Sequence, residues 1–129
     1  MELIISKDAP AAGGHYSHAV AINGLLFLSG QLPVTKDGKN IPETIEAQTR
    51  LALRNVANVL KSVGATLGDV ISTTIYVSDI AHWPEVNRVY AETFGAHKPA
   101  RTVAVSPQLH YGCHVEIQVI ARDIRQPVS

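Results

Sequence analysis

Asn23-Gly24, set between two apolar runs, restricts this chain more than any other feature. A two-residue hairpin of type I′ needs positive φ at both central positions, and Asn followed by Gly tolerates that best. The dipeptide therefore predicts that Ser17 to Ile22 and Leu25 to Ser29 are paired antiparallel strands. Once that hairpin exists its apolar face needs cover, and the rest of the chain supplies it. From Thr44 to Val63 the residues Ala52, Leu53, Val56, Val59, Leu60 and Val63 recur at helical spacing, with Gly64 placed as a C-terminal cap. A second helix is predicted from near Pro84 to Gly95, with Val86, Val89, Tyr90, Thr93 and Phe94 as its inward stripe.

The remaining segments read as strands. Leu3 to Ser6 is short, and Asp69 to Val77 is rich in β-branched residues. Arg101 to Val105 and His114 to Ala121 follow the second helix. The order is β, β-hairpin, α, β, α, β, β, which predicts an α+β fold with both helices on one face of a mixed sheet. That leaves the other face without intramolecular cover, and self-association is its natural remedy. With 129 residues, 46% hydrophobic and 17% charged, the chain is read as a single domain over residues 1–129.

Charge excludes some functions. The formal net charge is zero, so there is no basic footprint for nucleic acid or an anionic membrane. The one cysteine, Cys113, rules out an internal disulfide and is read as a small apolar strand residue. The acidic start Met1-Glu2-Leu3-Ile4-Ile5-Ser6 has neither the apolar length of a signal peptide nor the Arg-rich pattern of a transit peptide, so a cytoplasmic location is expected. Six histidines raise the question of a metal. His15 and His18 lie three apart, and His110 and His114 four apart, but no acid or cysteine cluster completes a recognised ligand spacing. No metal or cofactor is expected, and His18 is read either as a proton shuttle or as a solvated strand end.

Two charges fall in apolar strands: Arg101 at the start of one and Glu116 within Val115 to Ala121. A buried charge calls for a partner. Either the two form a structural ion pair, or Arg101 grips a substrate carboxylate with its planar fork. Asn87, on the edge of the second helix's apolar stripe, is either satisfied by backbone or lines a pocket.

Taken in order, a set of short segments resembles the RidA/YjgF family. They are Tyr16-Ser17, Ser29-Gly30-Gln31, Gln48-Thr49 with Leu53, Asn55 and Val56, Thr73 to Val77 with Asp79, Val86-Asn87 with Tyr90, Pro99-Ala100-Arg101, and Val115-Glu116-Ile117 with Ala121. The resemblance runs from about Ala9 to Ala121. It implies a chorismate-mutase-like subunit, a homotrimer with pockets at the subunit interfaces, and hydrolysis of enamines and imines such as 2-iminobutanoate and 2-iminopropanoate. It further implies that Arg101 binds the substrate carboxylate, that Tyr16, Ser29 and Asn87 line the pocket, and that Glu116 places or activates water, with burial against Arg101 keeping Glu116 ionised. Larger substrates such as aminomuconate or an aminoacrylate, a non-catalytic carboxylate-binding role and an RNA-directed role are the alternatives. The chain departs from the usual pattern at His15 and His18 around Tyr16, at Val103 in place of a cysteine, and at His110 in place of a proline. All of these border the predicted pocket.

Overall fold

The computed structural model describes residues 1–125. Six strands form one sheet: β1 (Glu2–Ile4), β2 (Ala19–Ile22), β3 (Leu25–Leu28), β4 (Val70–Val77), β5 (Ala100–Val105) and β6 (Val115–Arg122). Their spatial order is β1-β2-β3-β6-β4-β5. Only β4 and β5 run parallel, joined by the crossover through helix α2 (Trp83–Phe94), and every other pairing is antiparallel. Helix α1 (Ile45–Lys61) connects β3 to β4. The chain has an α+β fold with a mixed sheet and two helices, as expected.

The local signals act where they were read. Asn23 and Gly24 have φ of 52° and 78°, the type I′ combination, and Ile22 pairs with Leu25 across the turn. Thr44 caps α1, its hydroxyl accepting from the Ala47 N–H at 3.1 Å. Pro84 sits in the first turn of α2 and Gly95 ends it at φ 61°. Helix α1 stops at Lys61, two residues before the expected end, and Gly64 takes its positive φ after one further turn.

Two elements differ from expectation. Strand β1 lies nearer the terminus than Leu3 to Ser6, because the buried Ser6 N–H leaves the ladder to donate to His18 Nδ1 at 2.8 Å. Thr93 belongs to the exposed rim of α2 and not to its inward stripe, its hydroxyl donating back to Val89 C=O at 2.8 Å.

The core lies between the helices and one face of the sheet. Leu53, Val56 and Leu60 of α1 and Val86 and Val89 of α2 pack with Leu26, Ile75, Ile117 and Val119. Along β6 buried and half-buried residues alternate, so Val115, Ile117, Val119 and Ala121 face the helices while Glu116, Gln118 and Ile120 face away. On that second face Phe27 and Ile22 are 38% and 40% exposed. Among the described residues strand β5 is an edge strand whose only neighbour is β4, and most of it is exposed. Among the described residues no helix is long and apolar enough to cross a membrane.

Candidate active site

The residues expected to form the site fall into two groups. The first lies on the helix side of the sheet's rim. Arg101 is paired in register with Thr73, whose hydroxyl is buried against the Tyr90 hydroxyl at 2.9 Å. The Arg101 guanidinium lies over the rings of Trp83 and Tyr90, at 4.8 and 4.9 Å from their centroids, and Nη1 donates to Asn87 Oδ1 at 2.9 Å. Trp83, Asn87 and Tyr90 stand at i, i+4 and i+7 of α2, so one helical face grips the guanidinium. Val103, two residues on, packs half-buried against the core.

The second group gathers at a cleft of about 450 Å³, whose lining includes Pro10, Tyr16, Gly30, Lys39, His110 and Tyr111. Tyr16 lines it directly, and Ser29 and Glu116 adjoin it at Gly30. The Glu116 carboxylate lies so close over Gly30 that a methyl group there would collide with Oε2, which makes the absence of a side chain at Gly30 a condition of the arrangement. Glu116 is half-buried, and that burial raises its carboxyl above its ordinary value, while a protonated His110 nearby would act in the opposite direction. Ser29 adjoins Gly30, its hydroxyl donating to Ser17 C=O at 2.7 Å. Tyr16 is half exposed on the rim, and its hydroxyl accepts from the Gly13 N–H at 3.3 Å.

Arg101 and Glu116 do not pair within the subunit, so the expected structural ion pair is absent and Arg101 does not hold Glu116 ionised there. The reason is register. Arg101 lies opposite Thr73, and Glu116 opposite Tyr76 three positions along the same strand, so their side chains leave the sheet on opposite faces. Arg50, Arg88, Arg122 and Arg125 each have a carboxylate within 3.1 Å. Among the described residues Arg101 has none in reach.

His18 is neither solvated nor free to shuttle protons. It is 2% exposed, with Nδ1 accepting from Ser6 N–H and Nε2 donating to Pro10 C=O at 2.7 Å, so both nitrogens serve the backbone. Cys113 is buried just before β6, and burial pushes its thiol up. Sequence reasoning marked Gln48 and Asn55 only as signs of the family resemblance and missed what they do in the fold. Asn55 Nδ2 donates to Leu32 and Val34 C=O at 2.8 and 3.0 Å, and Gln48 Nε2 donates to Pro42 C=O at 2.9 Å, so α1 ties down the loop that walls the cleft. Trp83 was also missed, though its i, i+4, i+7 spacing with Asn87 and Tyr90 was visible in the sequence.

Comparison with known proteins agrees with this architecture. Residues 6–123 match the family model described as endoribonuclease L-PSP, the model that stands for RidA/YjgF proteins. The chain belongs to the RidA/YjgF family. Among family relatives, Protein HMF1 of Saccharomyces cerevisiae is 40% identical over 120 residues, covering 93% of each chain. Reactive Intermediate Deaminase A of Arabidopsis thaliana, a chloroplastic protein, is 40% identical over 93% of this chain and 65% of its own length. The crystal structure of TdcF of Escherichia coli with bound serine superposes with a TM-score of 0.89 at 31% identity, covering 95% of this chain and 98% of that one. The matched residues of the RidA/YjgF model thus span both helices and the strands from β2 to β6.

Proposed function

We propose that the chain is a deaminase that hydrolyses small 2-imino acids to the 2-oxo acid and ammonia, in a pocket completed by a second copy of the chain within a homotrimer. The observation that carries the reading is the state of Arg101. Two aromatic faces and one amide fix its guanidinium without neutralising it, leaving the rest of the planar fork for an anion. A substrate carboxylate is such an anion, and the relative named a reactive intermediate deaminase supports the class of chemistry.

Among the described residues no carboxylate stands beside Arg101, and no arginine lines the cleft beside Glu116. Apposition of one subunit's Arg101 and Asn87 with a neighbour's Tyr16, Ser29 and Glu116 would supply both, and the uncovered sheet face is a surface on which subunits can meet. Arg101 then orients the carboxylate, Tyr16 and Ser29 hold the amine end, and Glu116 takes the proton of the attacking water. A carboxyl raised by burial is a stronger base than an ordinary carboxylate, which suits the acceptance of a water proton. The iminium carbon is itself electrophilic, so orientation supplies much of the acceleration. An RNA-directed role is favoured less, since a net charge of zero carries no basic excess for a phosphate backbone.

The test is ammonia and oxo-acid release from imines generated in place by an amino-acid oxidase, with serum albumin as the protein control. Arg101→Ala is expected to remain a trimer by light scattering and to lose about 2 to 5 kcal/mol of transition-state binding, roughly 30-fold to several thousand-fold in rate. Arg101→Lys is expected to recover only part of it. Wild-type turnover in a trimeric Arg101→Ala protein would end the carboxylate-clamp reading, and a stable monomer would end the shared pocket.

A further inference from the structure

The cleft contains a second proton-carrying side chain. We propose that His110 is the proton-exchange partner of Glu116, so that the site works as a histidine–carboxylate pair instead of a lone carboxylate. The inference rests on the deaminase reading and assigns a role to a residue that departs from the family's usual proline.

The geometry is specific. His110 lines the same cleft as Tyr16 and Gly30, and the Glu116 carboxylate lies against Gly30 at that cleft's wall. The turn that carries His110 leads directly into β6, and Cys113 N–H donates to His110 C=O at 3.2 Å. Tyr111, a residue with a full side chain, is held at φ 61° and ψ 20°, a left-handed conformation rarely adopted outside glycine and asparagine. Strained backbone of this kind persists where surrounding structure imposes it, and it is concentrated at functional sites. Here it turns the Tyr111 ring edge-on to His110, with centroids 5.7 Å apart. His18, His97 and His114 each commit a ring nitrogen to a fixed hydrogen bond, and His110 is not among them.

The other ionisable groups near the pair are Tyr16, His18, Lys39 and Tyr111 around the cleft, Tyr76 across from Glu116 on β4, and Cys113 at the start of β6. His18 is committed to the backbone, and the Cys113 thiol is pushed up by burial. When His110 carries a proton, its charge acts against the burial that raises Glu116.

The reaction balances through the pair. Water forms a C–O bond to the iminium carbon, the C=N π electrons move to nitrogen, and Glu116 takes one water proton, giving a carbinolamine. The proton passes from Glu116 to His110, and the imidazolium delivers it to the amine nitrogen. The C–N bond breaks as the hydroxyl oxygen forms C=O, its proton returns to Glu116, and ammonia leaves. Ammonia then takes that proton and departs as ammonium, restoring neutral His110 and ionised Glu116.

The test combines pH–rate profiles of imine hydrolysis with a carboxyl 13C titration of Glu116, both on the trimer, for wild type, His110→Asn and His110→Ala. Wild type is expected to show a limb in the neutral range, where imidazole changes charge. His110→Asn is expected to lose that limb and on the order of 100-fold in kcat with KM within about twofold, and added imidazole should partly restore His110→Ala. Glu116 should titrate higher in His110→Asn, because a cation that favoured its ionised form is gone. An active wild type whose profile, kcat and Glu116 titration all survive His110→Asn would overturn the pair while leaving the deaminase reading in place. A wild type without imine turnover would overturn that reading and the catalytic pair together.

Discussion

Two clusters of arginine on this molecule have opposite fates. Across the outer faces of α1 and α2, Arg88 meets Glu46, Glu85 and Glu92 at 2.6 to 2.9 Å, and Arg50 meets Glu46 and Glu92. At the sheet's rim, Arg101 meets two rings and an amide. The two helical guanidinium groups share three carboxylates, whereas the rim guanidinium is positioned without being neutralised. Exposed pairs in high dielectric add little to stability, so the first cluster mainly fixes how the helices lie against each other. The second holds a charge ready for something that is not part of the chain. Which arginine to suspect of function follows from what is missing around it.

The comparison can be broken most forcefully by giving Arg101 the kind of partner Arg88 has. Asn87→Asp places a carboxylate 2.9 Å from Nη1 in the same geometry. Imine turnover is expected to fall on the order of 100-fold, because an internal anion now competes for the fork, while Tm holds or rises. Unchanged turnover would mean that Arg101 does not need an open charge. A smaller effect comes from loosening the grip: Trp83→Ala should raise KM by about three- to tenfold and leave kcat nearly intact, since one cation–π contact contributes roughly 0.5 to 2 kcal/mol. A kcat loss with constant KM would assign Trp83 to the chemistry instead.

The smallest effect belongs to the other cluster. Arg88→Ala should leave imine turnover at the wild-type level and lower Tm slightly, by an amount that shrinks in high salt. The pH dependence has a definite sign. Hydrogen bonds from Arg88 and Arg50 lower the Glu46 carboxyl, and chiefly that from Arg50 lowers Glu92. A carboxylate lowered on folding adds stability above its unfolded value and loses it as pH falls through the folded one. Thermal melts of wild type and Arg88→Ala should therefore differ near neutrality and converge in acid, and a difference that persists there would assign it to packing.

What could be read from residues alone was whatever chemistry decides within a few positions. Asn23-Gly24 specifies its turn, Thr44 caps α1, and Pro84 and Gly95 bracket α2, all through local sterics and hydrogen bonds. The importance of Arg101 and Glu116 was also visible, as charges in apolar strands. Their failure to meet was not, because the face each one takes depends on how β4 is registered against both β5 and β6. Those pairings join segments far apart in sequence, and a shift of one residue in either would reverse the outcome. His18 escaped for a related reason: its two partners, Ser6 and Pro10, belong to a chain segment whose path depends on where β1 leaves the sheet.

The loop from Gln31 to Pro42 forms one wall of the cleft and is fastened to α1 through the side-chain amides of Asn55 and Gln48. The Gly30 side of the same cleft admits no side chain while Glu116 holds its place. Variation in what the pocket admits is therefore channelled to one wall. Residues between these tethers can change size or charge without touching the sheet, the helices or the reacting carboxylate. A lineage built on this fold can thus alter its diet by editing a few exposed positions while its chemistry stays constant.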